Sequence, residues 1–148
     1  MDSKELKEIF DLLAKENGFV KAYGAWFKES DDGTVVLELQ KSSYSNSYYL
    51  NIKGYIKGVF GRSYSKSKEL AKSAAGHISK QVNDNSALDL EIHNDKAHTS
   101  LEIQKLFQSL INPLADVALS RKKTKEMAST GKLFLLPVIK EQLELLET

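Results

Sequence analysis

Apolar side chains open the chain at helical spacing: Leu6, Ile9, Phe10 and Leu13 follow the i, i+3, i+4, i+7 rule. They predict an amphipathic first helix. Asp2, with Glu5 three residues on, matches a capping box that satisfies orphan N–H groups at the helix start. Asn17-Gly18 ends it, since glycine tolerates the left-handed conformation that closes a helix. The period then changes to two. Residues 19–23 and 25–29 read as short strands, with Gly24 as a bulge or bend between them. Ser30-Asp31-Asp32-Gly33 signals a turn, because Asp-Gly suits the positive φ angles of a tight hairpin. Over residues 34–41, Val35, Leu37 and Leu39 point one way and Val36, Glu38 and Gln40 the other. A polar loop, 42–47, leads into residues 48–56, where Tyr48, Leu50, Ile52 and Ile56 share a face. Such short connections build an antiparallel meander.

The middle of the chain is less periodic. Residues 57–62, with Gly58 and Gly61, read as a turn. Residues 65–75 read either as a short helix packed through Leu70, Ala71 and Ala74 or as a Ser/Lys-rich loop, and residues 76–82 as a strand. Residues 86–93 alternate, Leu88, Leu90 and Ile92 inward and Asp89, Glu91 and His93 outward, which predicts a further strand. From Thr99 the helical period returns through Ile103, Leu106, Phe107, Leu110 and Ile111. Asn112-Pro113 reads as a break, with Asn112 capping a second helix and Pro113 in its first turn. That helix carries Leu114, Val117 and Ala118 and ends in Arg121-Lys122-Lys123-Thr124-Lys125, whose cations would complement a helix C-terminus. After Ser129-Thr130-Gly131 and Leu136-Pro137, a last helix places Val138, Ile139, Leu143 and Leu146 on one side. No repeat, linker or shift of composition divides residues 1–148. The expected fold is one α+β domain: an N-terminal helix, an antiparallel meander sheet, and C-terminal helices packed on one face of the sheet.

Composition narrows the functional classes. The 148 residues are 41% hydrophobic and 28% charged, ordinary for a globular domain and incompatible with a wholly disordered or fibrous chain. Lys+Arg total 21 against 20 for Asp+Glu, so no overall field selects an acidic or basic partner. The absence of cysteine excludes disulfides and thiolate chemistry and suits a reducing compartment. Residues 1–10 alternate charge with apolar side chains, unlike a secretory leader. The longest apolar run, residues 133–139, contains Pro137 and is far shorter than the ~20 residues that span a bilayer. A cytoplasmic protein without a membrane segment is expected.

The strong catalytic signatures are missing. No Gly-rich loop ends in Lys-Ser or Lys-Thr, Gly54, Gly58 and Gly61 lack dinucleotide spacing, and neither a nucleophile elbow nor a zinc helix occurs. His93 and His98 flank a turn near Asp89, Glu91 and Asp95, a set without recognised ligand spacing. No metal and no cofactor are expected. His77 reads as packed on the sheet, and an acid–base role for it requires a cleft.

Two stretches carry binding chemistry. Between residues 53 and 80 the cations are Lys53, Lys57, Arg62, Lys66, Lys68, Lys72 and Lys80, against the single carboxylate Glu69, with Tyr55, Phe60 and Tyr64 interleaved. Cations beside stacking rings suit single-stranded nucleic acid, with Lys57, Arg62, Tyr64, Lys66 and Lys68 as the contacts. A solvated Lys/Ser face gives the same composition. The second stretch is Ser42-Ser43-Tyr44-Ser45-Asn46-Ser47-Tyr48-Tyr49. Tyrosine brings contact area at low entropic cost, and Ser and Asn bring adaptable hydrogen bonds, as in antibody binding loops.

Leu39-Gln40-Lys41-Ser42-Ser43-Tyr44, followed by Tyr48-Tyr49-Leu50-Asn51-Ile52, resembles a family of small bacterial single-domain proteins with a Leu-Gln-Lys-Ser signature and no assigned activity. Gly18-Phe19, Trp26-Phe27 and His77-Ile78 fall where that pattern puts them, so the likeness covers most of the chain. It implies a single α+β domain and marks Gln40, Lys41, Ser42 and Asn51 as candidate positions without a role. The segment after Gly54 departs from the pattern. Physically, Lys41, Ser42 and Asn51 would either tie the hairpin together or line a shallow polar groove.

The function expected first is a non-catalytic binding module that contacts a protein partner through the sheet face and through Lys41, Ser42, Tyr44, Asn46, Tyr48 and Asn51. The alternatives are nucleic-acid binding through the basic segment, and an enzyme built on His77 or on Lys41 and Asn51.

Overall fold

The computed structural model describes residues 1–92 and 95–146. Helix α1 spans Ser3–Glu16, and the Asp2 side chain accepts from the Glu5 N–H at 2.9 Å, so the cap forms as the sequence implies. Five strands follow: β1 Val20–Ala22, β2 Ala25–Glu29, β3 Gly33–Lys41, β4 Tyr48–Ile56 and β5 Ile78–Val82. They pair antiparallel in chain order, an uncrossed meander with β1 and β5 at its edges. Gly24 is not a bulge. Ala22 pairs with Ala25, and Tyr23 and Gly24, at φ 53° and 75°, form the two-residue left-handed turn that suits strand twist.

The next turn corrects a second expectation. Gly33 does not take a positive φ; it begins β3 and pairs with Ile56. Glycine is required there for space, because a Cβ would collide with the Ala118 carbonyl oxygen. Gly33→Ala should therefore cost about 2–3 kcal/mol through overpacking, read as a lower denaturation midpoint with an unchanged m-value. An unaltered midpoint would show that the backbone moves aside freely.

Between β4 and β5, helix α2 covers Lys68–Lys72, with the Ser67 hydroxyl accepting from the Leu70 N–H. The Lys/Ser-rich stretch is thus partly helical. The strand predicted over 86–93 does not form across the described part. Residues Ser86–Leu88 make a short 3-10 turn capped by the Asn85 side chain, and a lone bridge joins Ser47 to Asp89. Leu88 is fully buried but Ile92 is exposed. Local Asn and Asp hydrogen bonds outcompete a strand ladder here: the Asp89 carboxylate accepts from the Glu91 N–H at 2.9 Å. His93 lies outside the described residues.

Helix α3, Lys96–Leu106, runs without interruption through a π-turn at Phe107–Ile111 into α4, Asn112–Ala118. Asn112 is accordingly not a cap. Its backbone is helical, and its side-chain amide donates to the Asn17 side chain at 2.9 Å. The π-turn ahead of Pro113 accommodates a residue that lacks an N–H and crowds the preceding turn.

The chain breaks at Leu119-Ser120 instead, and α5 is Arg121–Ser129. The run of cations therefore lies at a helix start, not a helix end, where the dipole opposes it. Asp32 relieves this by accepting the Arg121 N–H at 3.0 Å, and the Arg121 guanidinium donates to the Lys57 carbonyl at 3.1 Å. Helix α6 is Pro137–Glu144, with Ile139 and Leu143 inward and Val138 exposed rather than on the packed side.

Phe10 organises the main core, with ring centroids 4.7 Å from Trp26 and 5.5 Å from Phe107. Leu37, Leu50 and Ile52 on the same sheet face are fully buried. The opposite face is covered only in part. Tyr64 stacks on Tyr55 at 5.6 Å, and Leu70 and Ala71 of α2 are buried beside them. Among the described residues no helix is long and apolar enough to cross a membrane.

Candidate functional site

Alternation along β3 and β4 distributes the signature residues over both faces. Glu38 pairs with Asn51 and Lys41 with Tyr48, so Asn51 lies on the partly uncovered face and Lys41 on the helical one. Lys41 and Asn51 therefore do not form a common cluster. Asn51 instead centres an amide ladder on the sheet surface. Its Nδ2 donates to Gln40 Oε1 at 2.9 Å and Glu38 Oε1 at 3.2 Å, and its Oδ1 accepts from Gln81 Nε2 at 2.9 Å. Three strands are laced by these bonds, and exposed Gln40 and Gln81 leave part of their capacity to solvent.

The loop at the end of this ladder is internally tied. The Ser42 hydroxyl accepts from the Tyr44 N–H at 3.1 Å, and Lys41 Nζ donates to Asn46 Oδ1. The Asn46 N–H donates to Glu91 at 3.2 Å. Tyr44 is held at the tip with 95% of its surface exposed. Tyr48, expected among the contacts, is buried, since its position in β4 turns it to the helical face, with the Lys7 and Lys41 ammonium groups over its ring. Ser42 is buried as well. The exposed groups are Tyr44 and Asn46 in the loop, and Gln40 and Gln81 with half-buried Asn51 on the open sheet face.

The basic segment is dispersed by folding. Lys53 is 1% exposed and donates to the Ala71 and Ser73 carbonyls at 3.0 and 2.8 Å, with Glu38 at 3.5 Å. Burial pulls its pKa down, against the opposing pull of Glu38. Lys57 pairs with Glu29 at 3.7 Å and Arg62 with Glu69 at 3.0 Å. Tyr64 is buried, donates its hydroxyl hydrogen to the Val59 carbonyl at 3.0 Å and lies beneath the Arg62 guanidinium. Lys66 and Lys68 are exposed.

His77 accepts from the Ile56 N–H through Nδ1 at 2.9 Å and sits edge-on to Tyr55 and Tyr64. Burial, reinforced by the Arg62 charge, lowers its pKa to about 4. At neutral pH it is an unprotonated acceptor engaged by the backbone. Among the described residues no three His, Asp or Glu side chains are grouped to hold a metal ion. His98 is an exposed residue in the first turn of α3.

Two features escaped sequence reasoning: the buried Lys53 clamp, and an apolar groove beside β5. Lys53 carried no signal beyond its place in a strand, whereas the apolar run at 133–136 did signal that something must cover it or bind it.

These features define a small α+β domain, with an antiparallel sheet covered on one face and half open on the other. The chain belongs to the DUF4304 family, described as a domain of unknown function, which it matches over residues 10–120. The matched span ends at the N-cap of α5. No curated protein and no solved structure matches the chain.

Proposed function

We propose that the domain is a non-catalytic interaction module that holds a protein partner against the uncovered half of its sheet and the loop at 42–47. The observation that carries this reading is Tyr44, presented at 95% exposure in the loop that follows β3, the strand that contributes Gln40 to the amide ladder with Asn51 and Gln81. A rigid aromatic at the tip provides an anchor, and the pre-ordered amides provide directional hydrogen bonds without fresh ordering cost. The nucleic-acid reading has less support, because Tyr64 is buried and Lys57 and Arg62 already face carboxylates.

The test begins with a photo-crosslinking side chain at exposed Ser45 and identification of the protein it captures in cells. That protein is then purified and titrated calorimetrically. Tyr44→Ala should weaken its binding about tenfold or more, as for an aromatic anchor, with the thermal midpoint unchanged. Equal affinity for Tyr44→Ala and the parent chain, or capture of nucleic acid alone, would sink the reading.

A further inference from the structure

We infer that the groove beside β5 accepts an extended, apolar, acid-flanked segment of a partner protein as an added strand. This surface is separate from the loop and the amide ladder. The groove encloses about 400 Å³ between residues 75–80 and the stretch that includes Phe134 and Leu136, with Leu110 and Leu114 among its lining residues. Phe134 and Leu136 are 78% and 56% exposed while Leu135 between them is buried. That is the alternation of an extended chain, and both outward side chains line the groove.

Both walls have main-chain groups to offer. β5 is the last strand of the sheet, so its edge away from β4 carries N–H and C=O groups without a strand partner. On the opposite wall the N–H groups of Phe134 and Leu136, which share one side of the extended stretch, make no hydrogen bond among the described residues. A compact ligand would fill the apolar space and leave these groups unpaired. An extended peptide satisfies the free edge of β5 with its own backbone while alternate side chains fill the groove.

Charge decides which peptide. Lys80 is the one charged side chain among the described residues that line the groove, and no carboxylate is among them. It is in no ion pair among the described residues. Acidic flanks are matched here and basic ones repelled. A second copy is a poorer occupant, since full antiparallel pairing of two β5 strands, centred on the middle of Ile78–Val82, brings Lys80 against Lys80.

The test is selection of displayed random peptides on the full-length chain, followed by synthesis of the winning sequence and titration by fluorescence anisotropy. Selected peptides should alternate apolar residues and carry Asp or Glu at a flank, with affinity falling as salt rises. Amides of residues 78–82 should exchange at least about tenfold more slowly in the complex. Phe134→Asp and Leu136→Asp, both at exposed positions, should each weaken binding about tenfold, and Lys80→Glu about threefold or more. Tyr44→Ala should leave this affinity unchanged, which separates the groove from the loop. Selection that enriches nothing, peptides without acidic flanks, a complex that leaves the β5 amides unprotected, or a chain that dimerises through β5 would each overturn the inference.

Discussion

Lys53→Met should destabilise the fold by about 3 kcal/mol, measured as the free energy of urea unfolding. The Lys53 ammonium is the donor to the Ala71 and Ser73 carbonyls at the C-terminal end of α2. Methionine keeps most of the volume and removes all three donors, leaving buried acceptors that each cost about 1–3 kcal/mol when unpaired. Relief of the ammonium's own desolvation offsets part of that loss. Glu38 contributes less, being half-exposed and 3.5 Å away. Glu38→Gln should therefore cost under about 1 kcal/mol. The effect is also local: α2 amides should exchange faster in Lys53→Met while those of α1 keep their protection relative to global stability. A loss below about 1 kcal/mol would mean that the two carbonyls find water, and that the clamp is not what holds α2 to the sheet.

Acidification should weaken the protein through His77. Its folded pKa of about 4 lies below the ordinary 6.5, so between these values the unfolded chain binds the proton and the folded chain resists it. Stability is fully present above pH 6.5 and is lost as pH falls towards 4. The linkage is worth about 3 kcal/mol across that window. Protonation at Nδ1 would also replace the acceptor of the Ile56 N–H with a second donor. His77→Phe keeps a ring against Tyr55 and Tyr64 and should be less stable at neutral pH, because the Ile56 N–H loses its acceptor. Its stability should fall less than that of the parent chain towards pH 4, so that the two curves converge. Parallel curves from pH 7 to 4 would place the acid sensitivity in other groups.

Elements whose burial repeats with their own period were legible before folding was considered. In α1 the apolar stripe and the Asp2 cap are local, and in β3 and β4 the alternation identifies the face that meets the helices, although residues 33–37 and 52–56 are buried on both faces. Failures have the same origin wherever a short segment is stabilised by something distant. Residues 86–92 alternate like a strand, yet Asn85 and Asp89 turn the backbone with their side chains, so periodicity misleads. Asn112-Pro113 looks like a helix break, but a π-turn accommodates the proline and the helix continues into Ala118. The cations at 121–125 read as a helix end yet begin α5, because Leu119-Ser120 is a weaker stop signal than Asn-Pro.

The candidate binding surfaces divide in the same way. Tyr44 and its Ser/Asn neighbours could be read from composition, since a polar connection between two strands is bound to reach the surface. Tyr48, four residues away, could not be separated from it until the register with Lys41 fixed its face. In the basic segment the residues are adjacent in sequence but scattered in space: Lys53 inward, Tyr64 under Arg62, Arg62 on Glu69.

By itself, then, the chain determined its first helix, its meander and its α+β class, because hydrophobic period and turn chemistry act over a few residues. Only the tertiary structure decided that Lys53 is buried, that Lys41 and Asn51 face apart, and that Phe134 and Leu136 line a groove against β5. Those outcomes depend on which segments meet across the sheet, and a contact between residues far apart in the chain leaves no periodic trace in either of them.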